Sequence, residues 1–135
     1  EKVTGQSYQN EVRRRLFAPL GMQTASLTRA GLMASRSWAR PHVGRNTVQV
    51  NDNYYRVPAA GGVNSSIMDL AIWMRAQMGL APQVIAPQVL DTIHQARVGT
   101  PRRGTAFARA MGPSQYALGW RDYNYAGRWL VGHQG

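Results

Sequence analysis

The stretch "PAAGGVNSSIMDLAIWMRAQM", residues 58–78, constrains the fold of this chain more than any other. Glycine and small polar residues give way abruptly to an unbroken run of helix formers. Ser66 can accept a hydrogen bond from the free amides of a first helical turn, and Asp69, three residues on, falls where negative charge meets the positive end of the helix dipole. The pattern predicts a helix beginning at Ser66, with Ile67, Leu70, Ala71, Met74 and Met78 as its buried stripe. The preceding "AAGGVNSS" has no lysine before its serines and so is not a phosphate-cradling loop. It reads as a close approach of backbone to a neighbour, with the helix N-terminus behind it.

Other segments supply both helix and strand. In "GQSYQNEVRRRLFAPLG" Ser7 is an N-cap, Pro19 and Gly21 close the helix, and Tyr8, Val12 and Leu16 recur every four residues on one face. From Met22 to Pro41 no period is visible, and a loop is expected. "TVQVNDNYYRV" holds two β-rich runs, Thr47 to Val50 and Tyr54 to Val57, around Asn51, Asp52 and Asn53, which predicts a hairpin with a three-residue connection. A second helix opens with Pro87 and carries Val89, Leu90 and Ile93. An arginine- and glycine-rich loop is expected around Thr100 to Gly112. "YALGWRDYNYAGRWLVG" then reads as two strands joined near Ala126 and Gly127. The expected class is α/β (α+β): helices, an antiparallel strand pair at the C-terminus and an incomplete sheet.

Composition excludes several functions. The 135 residues amount to one domain at most. No run of about 18 apolar residues is present, so no membrane span is expected, and "EKVTG" is not followed by a signal-peptide apolar stretch. The lack of cysteine removes disulfides and thiolate metal sites. Sixteen basic residues against 6 acidic give a net charge of +10. Lys2 is the single lysine, the arginines are spread from Arg13 to Arg128, and the clusters at Arg13–Arg15 and Arg102–Arg103 lack interleaved aromatics. No nucleic-acid partner is expected. His42, His94 and His133 have no partners at ligand spacing, so neither a metal nor another cofactor is expected. "GQSYQ" and "GPSQY" both miss the second glycine of a G-x-S-x-G elbow. "YQN", Tyr8 to Asn10, has the form Y-x-N, but Tyr8 starts an apolar stripe and its ring is assigned to packing rather than to catalysis.

Three blocks, in order, resemble one family. "EKVTGQSY...RRRLFAPLGMQTAS" is similar to the "E.VTG.SY......IF.PLGM..T" stretch of the serine β-lactamase-like superfamily, which includes class C β-lactamases, D,D-peptidases, D-aminopeptidases and esterases. "PAAGGVNSSIMDLAIWMRAQM" resembles its "PAGG..SS..DLA.W" block, and "YALGW...GRWLVGHQG" its "YGLGW...HTGG" strand pair. The resemblance spans essentially all 135 residues and implies a partial domain of that fold.

By this resemblance the closing motif, K-[ST]-G or H-x-G, lies on the strand edging the active site, which assigns His133 as catalytic and Gln134 and Gly135 as substrate-binding. Histidine in place of lysine exchanges a permanent positive charge for a group that titrates near neutrality. The family's serine nucleophile sits in S-x-x-K, and no serine stands three residues before Lys2. The resemblance therefore places the nucleophile and the catalytic Y-x-N upstream of "EKVTG", and the last strands of the sheet after Gly135. Two positions depart from the pattern. Class C β-lactamases carry a tyrosine where this chain has Gly61, a substrate-pocket position, and Gln134 replaces threonine or serine. The implied activity is acyl-enzyme hydrolysis of β-lactams, D-amino-acid peptides or esters, with small molecules or peptides as substrates and a periplasmic or secreted location. A non-catalytic penicillin-binding-like or partner-binding module is the alternative, and a basic nucleic-acid binder is a third reading ranked well below both. Self-association through an exposed terminal strand, Trp129 to Val131, is also expected.

Overall fold

A computed structural model describes residues 2–100 and 111–133, with backbone alone for 111–113. It mixes helices with antiparallel sheets, and it divides into two units, residues 1–84 and 85–135.

In the first unit, Ser7 caps α1 (Tyr8–Val12) through its hydroxyl, which accepts from Asn10 N at 3.2 Å. The helix continues through a π-helical segment, Arg13–Phe17, into α2 (Ala18–Leu20). Gly21 closes it in the left-handed region at φ 77°, with Met22 N bonded to Phe17 O and Gly21 N to Ala18 O, the paired bonds of a Schellman cap. The expected stripe holds: Tyr8, Val12 and Leu16 pack on a core of Phe17, Met22 and Leu27.

The expected loop from Met22 to Pro41 is only partly a loop. Thr28 caps a five-residue helix, α3 (Arg29–Met33), by accepting from Gly31 N at 3.0 Å. The expected hairpin across residues 47–57 does not form. Only β1 (His42–Val43) and β2 (Asn46–Thr47) pair, while Tyr54–Arg56 is a 3-10 turn that leads into α4 (Pro58–Gly61). The Asp52 carbonyl accepts from both Tyr55 N and Arg56 N at 3.1 Å, which closes a turn over these residues in place of a strand, and Pro58 suits the first helical position of α4.

α5 (Ile67–Gln77) starts at Ser66 as expected, with the Ser66 hydroxyl accepting from Asp69 N at 3.2 Å. Its buried face is not the expected one. Asp69 and Ala76 are buried and Ile72 and Trp73 pack on the core, whereas Ile67, Leu70, Met74 and Met78 are exposed, as is Ala71. The true stripe is therefore 69, 72, 73 and 76, still at helical spacing. Apolar residues surround this helix, so their spacing alone did not fix its phase.

In the second unit, α6 (Pro87–His94) buries Leu90 and leaves Val89 half exposed. A four-stranded antiparallel sheet follows in the order β3 (Val98–Thr100), β4 (Met111–Tyr116), β5 (Arg121–Tyr125), β6 (Arg128–Gly132). The register shifts between Met111 and Ser114, where Pro113 has no N–H to give the ladder. The β5–β6 hairpin turns at Ala126 and Gly127, both at positive φ, 51° and 80°, which matches the twist of a two-residue hairpin. The expected strand pair is thus present and two further strands extend it. Most of the expected loop around Thr100 to Gly112 lies outside the described residues.

Candidate active site

The site residues suggested by the sequence fall in both units. In the second, His133 follows directly on β6 and is exposed. Its Nε2 lies 3.3 Å from the Tyr116 hydroxyl, and the two rings meet edge to face with centroids 6.3 Å apart. The Arg121 guanidinium stacks over the other ring of this pair, 5.3 Å from the Tyr116 centroid. Sheet register explains the grouping, because Tyr116 pairs with Arg121 and Arg121 with Gly132. The H-x-G motif names His133 and neither Tyr116 nor Arg121, which the structure groups with it. Their signal was the "YALGWR" hairpin, whose register sets the two side chains opposite each other. Gln134 and Gly135 lie outside the described residues.

In the first unit, two hydrogen-bond networks hold the loop after α2 against the start of α5. Asp69 Oδ2 accepts from Thr24 N at 2.9 Å and from Thr24 Oγ1 at 2.6 Å, and Thr24 Oγ1 also lies 2.8 Å from the Ser66 hydroxyl. Beside it Ser26 and Asn64 exchange both backbone hydrogen bonds, at 3.0 and 2.8 Å. The Asn64 amide donates to Ser26 Oγ, and its Oδ1 accepts from the Tyr55 hydroxyl at 2.9 Å. The glycine-rich segment does approach a neighbour closely, as its sequence implies, and that neighbour is the loop of residues 24–28. Asp69 is only 4% exposed, so its carboxylate ties tertiary structure together in addition to facing a helix start.

These segments wall an open cavity of about 1400 Å³, lined among others by Ser26, Trp38, Tyr54, Tyr55, Asn64 and Ser65. Gly61 ends α4 and is not among its lining residues. A Cβ at Gly61 would meet Tyr54 Cδ1 at 3.3 Å, so the exposed Tyr54 ring would have to give by a few tenths of an ångström to admit a side chain there. Tyr8 is half-buried on the core, in keeping with a packing role.

The Beta-lactamase family model matches residues 1–135, and the chain belongs to that family. It is 30% identical over 141 residues to the "Unguisins hydrolase ungD'" of Aspergillus campestris (strain IBT 28561), a match covering 100% of this chain and 26% of that protein. The octameric penicillin-binding protein homologue from Pyrococcus abyssi shares the fold with a TM-score of 0.78 at 23% identity, over 98% of this chain and 29% of that one. The chain thus spans about a quarter of the length of the curated relative it matches.

Proposed function

We propose that the protein carrying these residues is a serine hydrolase that forms an acyl-enzyme on a serine outside residues 1–135 and hydrolyses it with water, with His133 as a catalytic residue and Gln134 and Gly135 as substrate-binding residues. The observation that supports this best is His133 at the end of the sheet's last described strand, in a chain matched by the Beta-lactamase family over its whole length. A side chain held at a strand end can present a hydrogen-bond donor to a developing oxyanion or to a substrate carboxylate without reorganising during the reaction. Substrates are peptides, esters or β-lactams. The relative's printed name, a hydrolase, favours the hydrolytic outcome over transfer. A location outside the cytoplasm is part of the same proposal and rests on the family resemblance.

The test is covalent trapping. The full-length protein is incubated with a labelled penicillin and with an activated ester, and the adduct is located by peptide mass spectrometry. A stoichiometric adduct on a serine followed three residues later by lysine supports the reading. An adduct on any serine within residues 1–135 contradicts it, and hydrolysis of neither compound class favours a binding module.

A further inference from the structure

We propose that Tyr116 is a positioning residue for His133: its hydroxyl, made a stronger donor by the Arg121 guanidinium stacked on its ring, donates to Nε2 and holds the imidazole as the tautomer that carries its proton on Nδ1. This rests on the reading of His133 as a site residue, but its evidence is separate and lies in the sheet. Tyr116 stands on β4 and His133 directly follows β6, two strands away, a span of about 9.6 Å at ordinary strand spacing. A phenol can cover that distance only by lying across the intervening row. The register brings the groups together: Arg121, the β5 residue opposite Tyr116, lays its guanidinium over the ring, and Gly132, the β6 residue opposite Arg121, immediately precedes His133.

The direction of the hydrogen bond follows from charge. Tyr116 O and His133 Nε2 are 3.3 Å apart, and either atom could donate in a different tautomer. A cation over the face of the ring draws electron density from the phenol oxygen, which strengthens it as a donor and weakens it as an acceptor. Nε2 then accepts, and the ring proton is left on Nδ1. The hydrogen bond made by one imidazole nitrogen thereby decides what the other can offer a substrate. The edge-to-face contact of the two rings fixes the plane of the imidazole as well as its tautomer. Tyr116 thus acts through His133.

Selective 15N labelling of histidine in the full-length protein reads the tautomer directly, at a pH where the ring is neutral. His133 is expected predominantly as the Nδ1–H form. Tyr116→Phe, which keeps the ring and removes the hydroxyl, is expected to release it toward the Nε2–H form, and Arg121→Gln to shift it the same way by a smaller amount. Turnover should fall roughly 10-fold or more in Tyr116→Phe with KM within about twofold, as expected when a catalytic imidazole loses its tautomer. A wild-type His133 already in the Nε2–H form overturns the proposal, as does a tautomer unchanged by Tyr116→Phe. Because the wild-type spectrum and the Arg121→Gln variant are informative by themselves, poor folding of Tyr116→Phe leaves the proposal open to refutation. His133→Ala separates the two ideas: unchanged turnover in that variant refutes the placement of His133 in the site, while the tautomer data still decide the role of Tyr116.

Discussion

Removing the Asp69 carboxylate should cost far more than the loss of a helix-start charge. A first-turn acid on its own contributes about 0.3–1 kcal/mol, and loss of a capping residue typically about 1. Asp69, however, is 4% exposed and accepts both the backbone N–H and the hydroxyl of Thr24, 45 residues away in sequence. Hydrogen bonds to a charged group contribute about 1.5–3 kcal/mol each. Thr24 is itself exposed, so water can recover part of that loss when the carboxylate goes. Discounting for this resolvation, Asp69→Ala is expected to cost roughly 2–4 kcal/mol. The assay is urea denaturation followed by tryptophan fluorescence, since Trp73 lies on the same helix and packs on the core that the loop covers. A double-mutant cycle with Thr24→Val isolates the contact, with an expected coupling of about 1–2 kcal/mol. A cost for Asp69→Ala below about 0.5 kcal/mol, or strictly additive effects in the cycle, would refute the view that this pair fastens the two segments.

Three further outcomes follow from local geometry. Gly31→Ala places a Cβ 2.7 Å from Ser26 Cβ, so it should destabilise by about 1–3 kcal/mol and speed amide exchange at Ser26 and Asn64, which hydrogen-exchange mass spectrometry can follow. Ala126 sits at φ 51° ahead of Gly127, so Ala126→Asn, giving the favoured Asn-Gly turn, should stabilise by about 0.5–1 kcal/mol in thermal melts. His94 packs edge-on against Trp120 at 5.2 Å, and burial lowers its pKa from the ordinary 6.5 against the opposing pull of Asp122 and Asp91. The unfolded chain therefore takes up this proton first as pH falls, so stability present at neutral pH should decline as pH drops through about 6.5, and His94→Gln should flatten that part of the urea-midpoint profile.

What the sequence reveals is tied to local chemistry, and what it hides depends on distant partners. Ser7, Ser66, Pro87 and the Ala126–Gly127 turn each act on amides or dihedrals within a few residues, and all four elements form where the sequence places them. The face of α5 was not legible, because Asp69 is drawn inward by Thr24 and no periodicity records that bond. Helix α3 was missed because five residues carry too little period to stand out, although Thr28 supplied its cap. The failed hairpin at 47–57 shows β-branched and aromatic residues yielding to turn hydrogen bonds onto the Asp52 carbonyl. The motif singles out His133, whereas its grouping with Tyr116 and Arg121 emerges only from strand register.

The central claim is that His133 belongs to the catalytic wall of a β-lactamase-family hydrolase, and single-turnover acylation tests it most directly. Rates of adduct formation by the full-length protein with an activated ester, measured by rapid quench, are compared for wild type, His133→Ala and the packing control Tyr8→Phe. Loss of one preorganised donor at a reacting centre typically costs about 10²–10³-fold. His133→Ala is therefore expected to acylate at least about 100-fold more slowly with its denaturation midpoint unchanged, while Tyr8→Phe stays within a few fold. Acylation by His133→Ala within a few fold of wild type, or a hundredfold loss in Tyr8→Phe with stability intact, contradicts the account.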